Sequence, residues 1–166
     1  MIIREGYIIG LDPDVDKSGF AVLDCAAAAF VRCEALSFPE LIDSLAMYAA
    51  DDILHDHITV VMEDSDISCN WHLNPRDKKS VTAAKGRSVG MCHATARHLR
   101  ECAENYGLSV TGIKPLKKIW KGKDGKISHA EIASFATGCP KKTNQEVRDA
   151  MLLSWNYANL PIRIKK

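Results

Sequence analysis

The stretch that most constrains the fold runs from Tyr7 to Leu23, and its sequence is YIIGLDPDVDKSGFAVL. A short apolar run ends at Asp12, a polar turn follows, and Gly19 opens a second apolar run. This pattern predicts two β-strands paired as a hairpin, with Asp12 at the end of a strand in the middle of a sheet. A carboxylate in that position is costly unless a cation neutralises it. We therefore expect a metal ion at Asp12, held together with carboxylates from later parts of the chain.

The size and composition of the chain are those of one ordinary globular domain. It has 166 residues, of which 46% are hydrophobic and 26% charged, so we expect a single domain over residues 1–166. The six cysteines form no C-x-x-C pair, and Arg4 and Glu5 interrupt the N-terminal apolar run. These features predict reduced thiols, no secretory signal and a cytoplasmic protein without a membrane span. The net charge of +1 predicts no partner, so any nucleic-acid binding must depend on local charge.

The remaining segments alternate between strand and helix patterns. After the hairpin, apolar runs predict strands at 30–36, 58–62 and 108–113. Apolar residues at helical spacing predict a helix at about 41–53, preceded by a capping box of Ser37 with Glu40, and another at about 82–106. Two later helices begin at capping signals, Ser128 with Glu131 and Thr143 with Glu146. This order predicts an α/β fold with a mixed sheet whose first three strands form an antiparallel meander.

Two further carboxylates lie at the edges of predicted elements. Glu63 directly follows the strand at 58–62, and Asp149 lies near the start of the last helix. Mg²⁺ takes oxygen ligands and is held by few protein carboxylates. Two such ions a few ångströms apart can activate water and stabilise the leaving oxygen in phosphodiester hydrolysis. Simpler interpretations exist for each residue. Asp12 before Pro13 is a common turn, Glu63 is typical of a solvated loop, and Asp149 suits the positive end of a helix dipole.

Two basic segments are candidates for DNA contact. Residues 64–80 show no periodicity, which is typical of a functional loop, and carry Trp71, Arg76, Lys78 and Lys79. Residues 114–126 carry six lysines against a single aspartate. Such lysines bind the phosphate backbone and give affinity without sequence choice, and a solvated surface is the alternative. Our candidate DNA contacts outside the loop are Arg87, Lys117, Lys121 and Lys123.

Five segments together resemble one enzyme family. IIGLDPDVDKSGFAVLD is similar to the opening strand pair of the RuvC family of Holliday junction resolvases, in which a strand ends in Asp-Pro. VVMED resembles the second acidic strand of that family, and the helix containing GRSVG resembles its long central helix. KPLKKIWKGKDGKISHAEI resembles its Pro-x-x-Val-Lys stretch and Gly-x-Gly turn, and EVRDAMLLSWNYA resembles its last acidic helix. The segments correspond in order and spacing over nearly the whole chain.

The resemblance implies a ribonuclease H-like fold and an activity. The family cuts four-way DNA junctions as a homodimer with Mg²⁺ (Mn²⁺ is the alternative here), leaving 3′-hydroxyl and 5′-phosphate ends. By position, Asp12, Glu63 and Asp149 match its metal-binding carboxylates. Glu146 matches a fourth ligand that is Asp or His in relatives, although its spacing from Thr143 also suits a capping box.

The resemblance also implies roles for basic residues. Lys117 or Lys118 matches a residue near the active site of the family, and we expect Lys118 to stabilise phosphate charge in the transition state. Another active-site lysine of relatives falls near Ser128 and His129, which makes His129 a further candidate. The dimer face is expected on the helix from Gly86 to Arg100.

Some residues depart from the family pattern. Asp14 replaces the usual glycine after Asp-Pro, and Asp16 follows, so each either adds a metal ligand or solvates the turn; we expect solvation. An aromatic residue that relatives carry after the second acid is absent at Asp66. We expect Trp71 to replace it as a wedge between bases, and packing against its own domain is the alternative.

Three other functions compete with a junction resolvase. A related nuclease acting on RNA or on other branched DNA has the same carboxylates. A DNA-binding relative that has lost cleavage has no need of Asp12, Glu63 and Asp149. A zinc site at Cys69 and His72 with the His55/His57 pair is a weak signal, because two ligands in a loop have no second pair at matching spacing.

Overall fold

The computed structural model describes residues 1–3, 5–51, 54–63 and 75–163. Five strands form one sheet: β1 (Tyr7–Asp12), β2 (Ser18–Asp24), β3 (Ala29–Leu36), β4 (Ile58–Glu63) and β5 (Ser109–Ile113). Their order in the sheet is β3-β2-β1-β4-β5. The first three strands are antiparallel, whereas β4 runs parallel to β1 and β5 runs parallel to β4. The predicted mixed sheet with an antiparallel meander is confirmed.

Four helices flank the sheet: α1 (Phe38–Ala49), α2 (Lys79–Asn105), α3 (His129–Phe135) and α4 (Gln145–Tyr157). The long helix α2 begins three residues before the predicted start at Thr82, and α1 ends at Ala49 rather than at Ile53. Although α2 has 27 residues, no helix in the described ranges combines the length and apolar character needed to cross a membrane.

The helix caps follow the sequence in two cases and differ from it in a third. Capping boxes at Ser37 and Ser128 begin α1 and α3 as predicted. The predicted box of Thr143 and Glu146 is wrong, because Asn144 is the N-cap of α4 and its side chain accepts a 2.9 Å bond from the Val147 N–H. Since the cap of α4 does not use Glu146, this interpretation no longer competes with a role in the site.

Alternating side chains on the strands build a core on each face of the sheet. Ile8, Ala21 and Val61 pack with α4 on one face. Ile9, Leu11, Phe20 and Val60 point to the other face and pack with α1 and α2. The buried residues of α2 are Leu99 and Ala103, both near its C-terminal end. The N-terminal half of this helix therefore contributes little to the core and extends beyond it.

Candidate metal centre

Neighbouring parallel strands bring the first two carboxylates to one edge of the sheet. Leu11 of β1 pairs with Met62 of β4. Asp12 and Glu63 follow these residues directly, so they end the two strands side by side. The parallel pairing explains how residues 51 positions apart in sequence come together.

Helix α4 brings two more carboxylates because it lies directly on the strands. Asp12 pairs with Gly19 across β1 and β2. A Cβ added at Gly19 would collide with the carbonyl oxygen of Glu146, and one added at Gly10 would collide with that of Ala150. The two glycines therefore allow backbone to contact backbone, which places the acidic first turns of α4 over the end of β1.

Three of the predicted carboxylates line one cavity of about 430 Å³, namely Asp12, Glu63 and Asp149. Asp149 is only 7% exposed. Residues of α2, including Ser88 and Cys92, line the cavity as well. The half of α2 that leaves the core thus forms part of the wall around the acidic groups.

The site holds more negative charge than its surroundings neutralise. Burial raises the pKa of Asp12 well above its ordinary value, and the charges of Asp149, Glu63 and Glu146 raise it further, against the opposing effect of Lys126. Burial also raises the pKa of Glu63, although a 2.8 Å bond from the Leu116 N–H to its Oε1 favours the ionised form. A cation bound here would stabilise both ionised carboxylates.

A lysine that sequence analysis did not select provides positive charge inside the site. The Nζ of Lys126 donates to Oδ2 of Asp149 at 2.8 Å, and Nε2 of Gln145 donates to its Oδ1 at 2.8 Å. Burial opposes the charge on Lys126, but this bond and the carboxylates of Asp12 and Glu63 raise its pKa overall. Lys126 therefore stays protonated and forms an ion pair with Asp149 inside the site.

A tight turn selects Lys126 from the six lysines of its segment. Gly125 has a φ of +75°, and its carbonyl accepts a 2.9 Å bond from the Trp120 N–H. A Cβ added at Gly125 would press against the backbone of Lys118. The chain folds back here, so Lys118 and Lys126 reach the same cavity from the two arms of the turn. The glycine that permits this turn was the available signal in the sequence.

Two other candidate residues have structural roles. Nδ1 of His129 lies 2.9 Å from Oγ1 of Thr143, and His129 does not line the acidic cavity. Oδ1 of Asp14 accepts a 3.0 Å bond from the Asp16 N–H, which stabilises the turn after β1. Asp16 is exposed. The carboxylate of Asp14 therefore bonds within its own turn.

The predicted basic residues are spread over a wider surface. Lys117 and Lys118 line the acidic cavity. The remaining described candidates are exposed, namely Arg76, Lys78, Lys79, Arg87, Lys121 and Lys123. Trp71 lies outside the described residues.

The donor set suits a hard divalent cation, but its oxygens are engaged elsewhere. In the described part of the chain, no three Asp, Glu, His or Cys side chains are grouped so as to hold one metal ion. Both oxygens of Asp149 and one of Glu63 accept hydrogen bonds from protein groups. Carboxylate oxygens are the preferred ligands of Mg²⁺ and Mn²⁺, and the thiol of Cys92 and the imidazole of His93 lie in the wall of the same cavity. The set therefore fits such an ion chemically, and binding requires Lys126 to release Asp149.

No protein-family model and no curated protein matches the sequence. Among solved structures, the chain is similar to T. thermophilus RuvC in complex with a Holliday junction substrate, with a TM-score of 0.54 and 11% identity over 92% of each chain. A structure of Thermus thermophilus RuvC gives a TM-score of 0.50 and 13% identity over 92% of this chain and 93% of that one. The large terminase nuclease of thermophilic phage G20c gives a TM-score of 0.34 and 15% identity over 93% of this chain and 86% of that one. At this TM-score the similarity carries no argument. At these identities the similarity shows the fold, which is the predicted ribonuclease H-like α/β fold.

Proposed function

We propose that this chain is a metal-dependent endonuclease that cuts four-way DNA junctions. The observation that carries the proposal is that Asp12, Glu63 and Asp149 arrive from three separate elements in one cavity. Burial and the charges of Asp149, Glu63 and Glu146 raise the pKa of Asp12, as expected where buried carboxylates are grouped at a functional site. Lysines at the same cavity suit a phosphodiester substrate.

Each residue has a role in the proposed hydrolysis. Asp12, Glu63, Asp149 and Glu146 would hold Mg²⁺ or Mn²⁺. When bound, such ions activate water and stabilise the leaving oxygen of the phosphodiester. Lys118 lines the cavity and would neutralise charge that develops on the scissile phosphate.

The choice of a junction substrate is supported by the sequence motifs and by the similar fold. The solved relative was captured with a Holliday junction. Exposed basic residues of α2 and of the lysine-rich segment, including Lys79, Lys121 and Lys123, would give DNA strands a phosphate-binding surface. Nucleases that act on RNA or on other branched DNA share the same carboxylates, so the substrate must be tested directly.

We further propose a homodimer, because a symmetric junction presents two equivalent strands. The exposed part of α2 supports this arrangement. It carries Met91 at 41% exposure and small residues such as Ala83 and Ala94, where a solvated helix usually carries charges. A Cβ added at Gly90 would meet no described atom within 4 Å, so the protomer itself gives this glycine no packing role.

The direct experiment compares four labelled substrates in Mg²⁺ and in Mn²⁺. These are a synthetic four-way junction, a flapped duplex, a linear duplex and an RNA–DNA hybrid. We expect cleavage of the junction at least tenfold faster than that of the others. Asp12→Asn should lower the rate by a hundredfold or more while leaving junction binding intact, and Asp16→Asn is the matched control.

Each alternative outcome has a distinct meaning. If the chain cut the RNA–DNA hybrid or the flapped duplex faster than the junction, that nucleic acid would be the proposed substrate in place of the junction. Tight junction binding without cleavage in either metal would indicate a non-cleaving relative. If Asp12→Asn cut as fast as the unmodified chain, the proposed site would be wrong.

A further inference from the structure

A second cavity lies on the other side of the lysine-rich segment. Its volume is about 820 Å³, within the range of about 300–1,000 Å³ typical of ligand pockets. It shares Pro115, Leu116, Lys117 and Trp120 with the acidic cavity. The segment 115–120 is therefore a thin wall between the two cavities. A DNA strand with one phosphate in the acidic cavity would pass beside the second cavity.

The wall of this second cavity combines an exposed apolar side chain with a fixed aromatic ring. Ile119 is 74% exposed although lysines surround it in sequence. Trp120 stacks on Phe135 with ring centroids 6.3 Å apart, and Phe135 in turn lies 5.6 Å from Trp155. Because this aromatic row continues into the core, Trp120 offers a preformed surface for another ring.

The rim of the second cavity carries positive charge. Lys114, Lys117 and Lys121 are exposed and line it, while the carboxylate of Glu131 is engaged by the Lys121 and Ser128 N–H groups. Asn156 of α4 also lines the cavity and is exposed, and its amide is a group that bonds to the edges of bases. An apolar interior with a cationic rim is complementary to a nucleotide, which joins a flat base to a phosphate.

We infer that this cavity holds one unpaired nucleotide of the bound DNA strand, next to the phosphate in the acidic cavity. The base packs against Ile119 and Trp120, and Lys114 and Lys121 contact its flanking phosphates. This inference rests on the proposed nuclease function and extends it, since it assigns recognition of the unpaired base to residues outside the acidic cavity. A paired base stays stacked in the duplex and does not enter.

The test measures binding without cleavage, in buffer with EDTA. Fluorescence anisotropy compares a labelled duplex with the same duplex carrying one unpaired thymidine, for the unmodified chain, Ile119→Ser and Asn156→Ala. Met47→Ser is the matched control, because Met47 is a 59% exposed apolar residue on α1, outside the second cavity. Circular dichroism confirms that each variant is folded.

We expect the unmodified chain to prefer the bulged duplex. Ile119→Ser should weaken binding of the bulged duplex about tenfold and binding of the paired duplex less than twofold. Asn156→Ala should act in the same direction, and Met47→Ser should change neither affinity.

Three results would overturn the inference: no preference for the bulged duplex, an equal loss on both duplexes, or unchanged DNA affinity with an altered oligomeric state, which would make the cavity a protein contact. Cleavage is assayed separately by adding Mg²⁺. A chain that shows the expected binding pattern but never cleaves would refute nuclease activity and leave the nucleotide site supported.

Discussion

Asp12 carries its negative charge at a cost to folding when no metal is bound. Burial and the neighbouring Asp149, Glu63 and Glu146 raise its pKa in the folded chain, and Lys126 only partly compensates. The folded protein therefore binds the proton more tightly than the unfolded chain does. Stability is greatest when Asp12 is protonated in both states and falls as pH rises through its folded pKa.

This charge cost predicts that Asp12→Asn stabilises the metal-free protein at neutral pH. We expect the Tm in EDTA to rise by a few degrees at pH 7, since about 1 kcal/mol moves the Tm of a chain this size by about 2–4 °C. The gain should shrink as the pH is lowered toward 3. Differential scanning calorimetry across this range measures it, with exposed Asp16→Asn as control. An equal gain at both ends of the range would contradict the prediction.

Lys126 occupies the carboxylate that a metal ion needs. Its Nζ lies 2.8 Å from Asp149, so a bound cation competes with it for that oxygen. Lys126→Met keeps most of the unbranched side chain and removes the charged ammonium group, so we expect Mn²⁺ to bind about tenfold more tightly in isothermal titration calorimetry. Exposed Lys123→Met should leave the affinity unchanged. Weaker binding in Lys126→Met would show that the ammonium supports the metal site rather than competing with it.

The site residues that could be predicted from the sequence are those that differ from their neighbours in type and position. Asp12 and Glu63 end apolar runs, so their place at the sheet edge followed from the strand pattern. Lys126 is one of six lysines in a polar segment, and the neighbouring Gly125 marks a turn in the sequence without showing which lysine the turn brings to the site. Only the turn at Gly125 and the position of α4 assign it to Asp149.

The position of α4 on the sheet depends on the absence of side chains at Gly10 and Gly19 beneath it. Gly19→Ala would drive a methyl group into the Glu146 carbonyl, and the helix would have to move off the sheet. We expect a loss of about 1–3 kcal/mol in the free energy of unfolding, from urea denaturation followed by circular dichroism. Gly90→Ala is the matched control. Its Cβ meets nothing within 4 Å in the described protomer, so we expect a gain of up to about 1 kcal/mol when unfolding is measured at a concentration that keeps the chain monomeric. A neutral Gly19→Ala would show that α4 is less closely held than the structure indicates.

Element types were predictable, whereas some boundaries were not. Period-two alternation and β-branched runs identified all five strands of the sheet. At the start of α4, Thr143 and Asn144 are both good N-cap residues, and the sequence does not say which is used. Tertiary contacts decide, since Thr143 contacts His129 and leaves the cap to Asn144.

At the scale of the whole molecule, we propose that residues 1–166 form one nuclease domain that dimerises through α2. Met91→Glu would place a charge in the proposed contact, so we expect the weight-average mass in sedimentation equilibrium to fall from dimer to monomer. Met47→Glu makes the same change on α1 and should leave the mass unaltered. A dimer that persists in Met91→Glu would exclude this face of α2 as the interface.

The contact of α4 with the two glycines also fixes how closely the acidic first turns of the helix approach the strands. Main-chain atoms of α4 rest on main-chain atoms of β1 and β2, so the distance from Glu146 and Asp149 to the end of β1 does not depend on the size of any intervening side chain. Strand pair 7–24 and helix 145–157 thus form a unit joined at two points by main-chain contact. In a transplant of this unit into another sheet, Gly10 and Gly19 would have to be kept for Asp12, Glu146 and Asp149 to stay together, and the new sheet would have to supply the counterpart of Glu63.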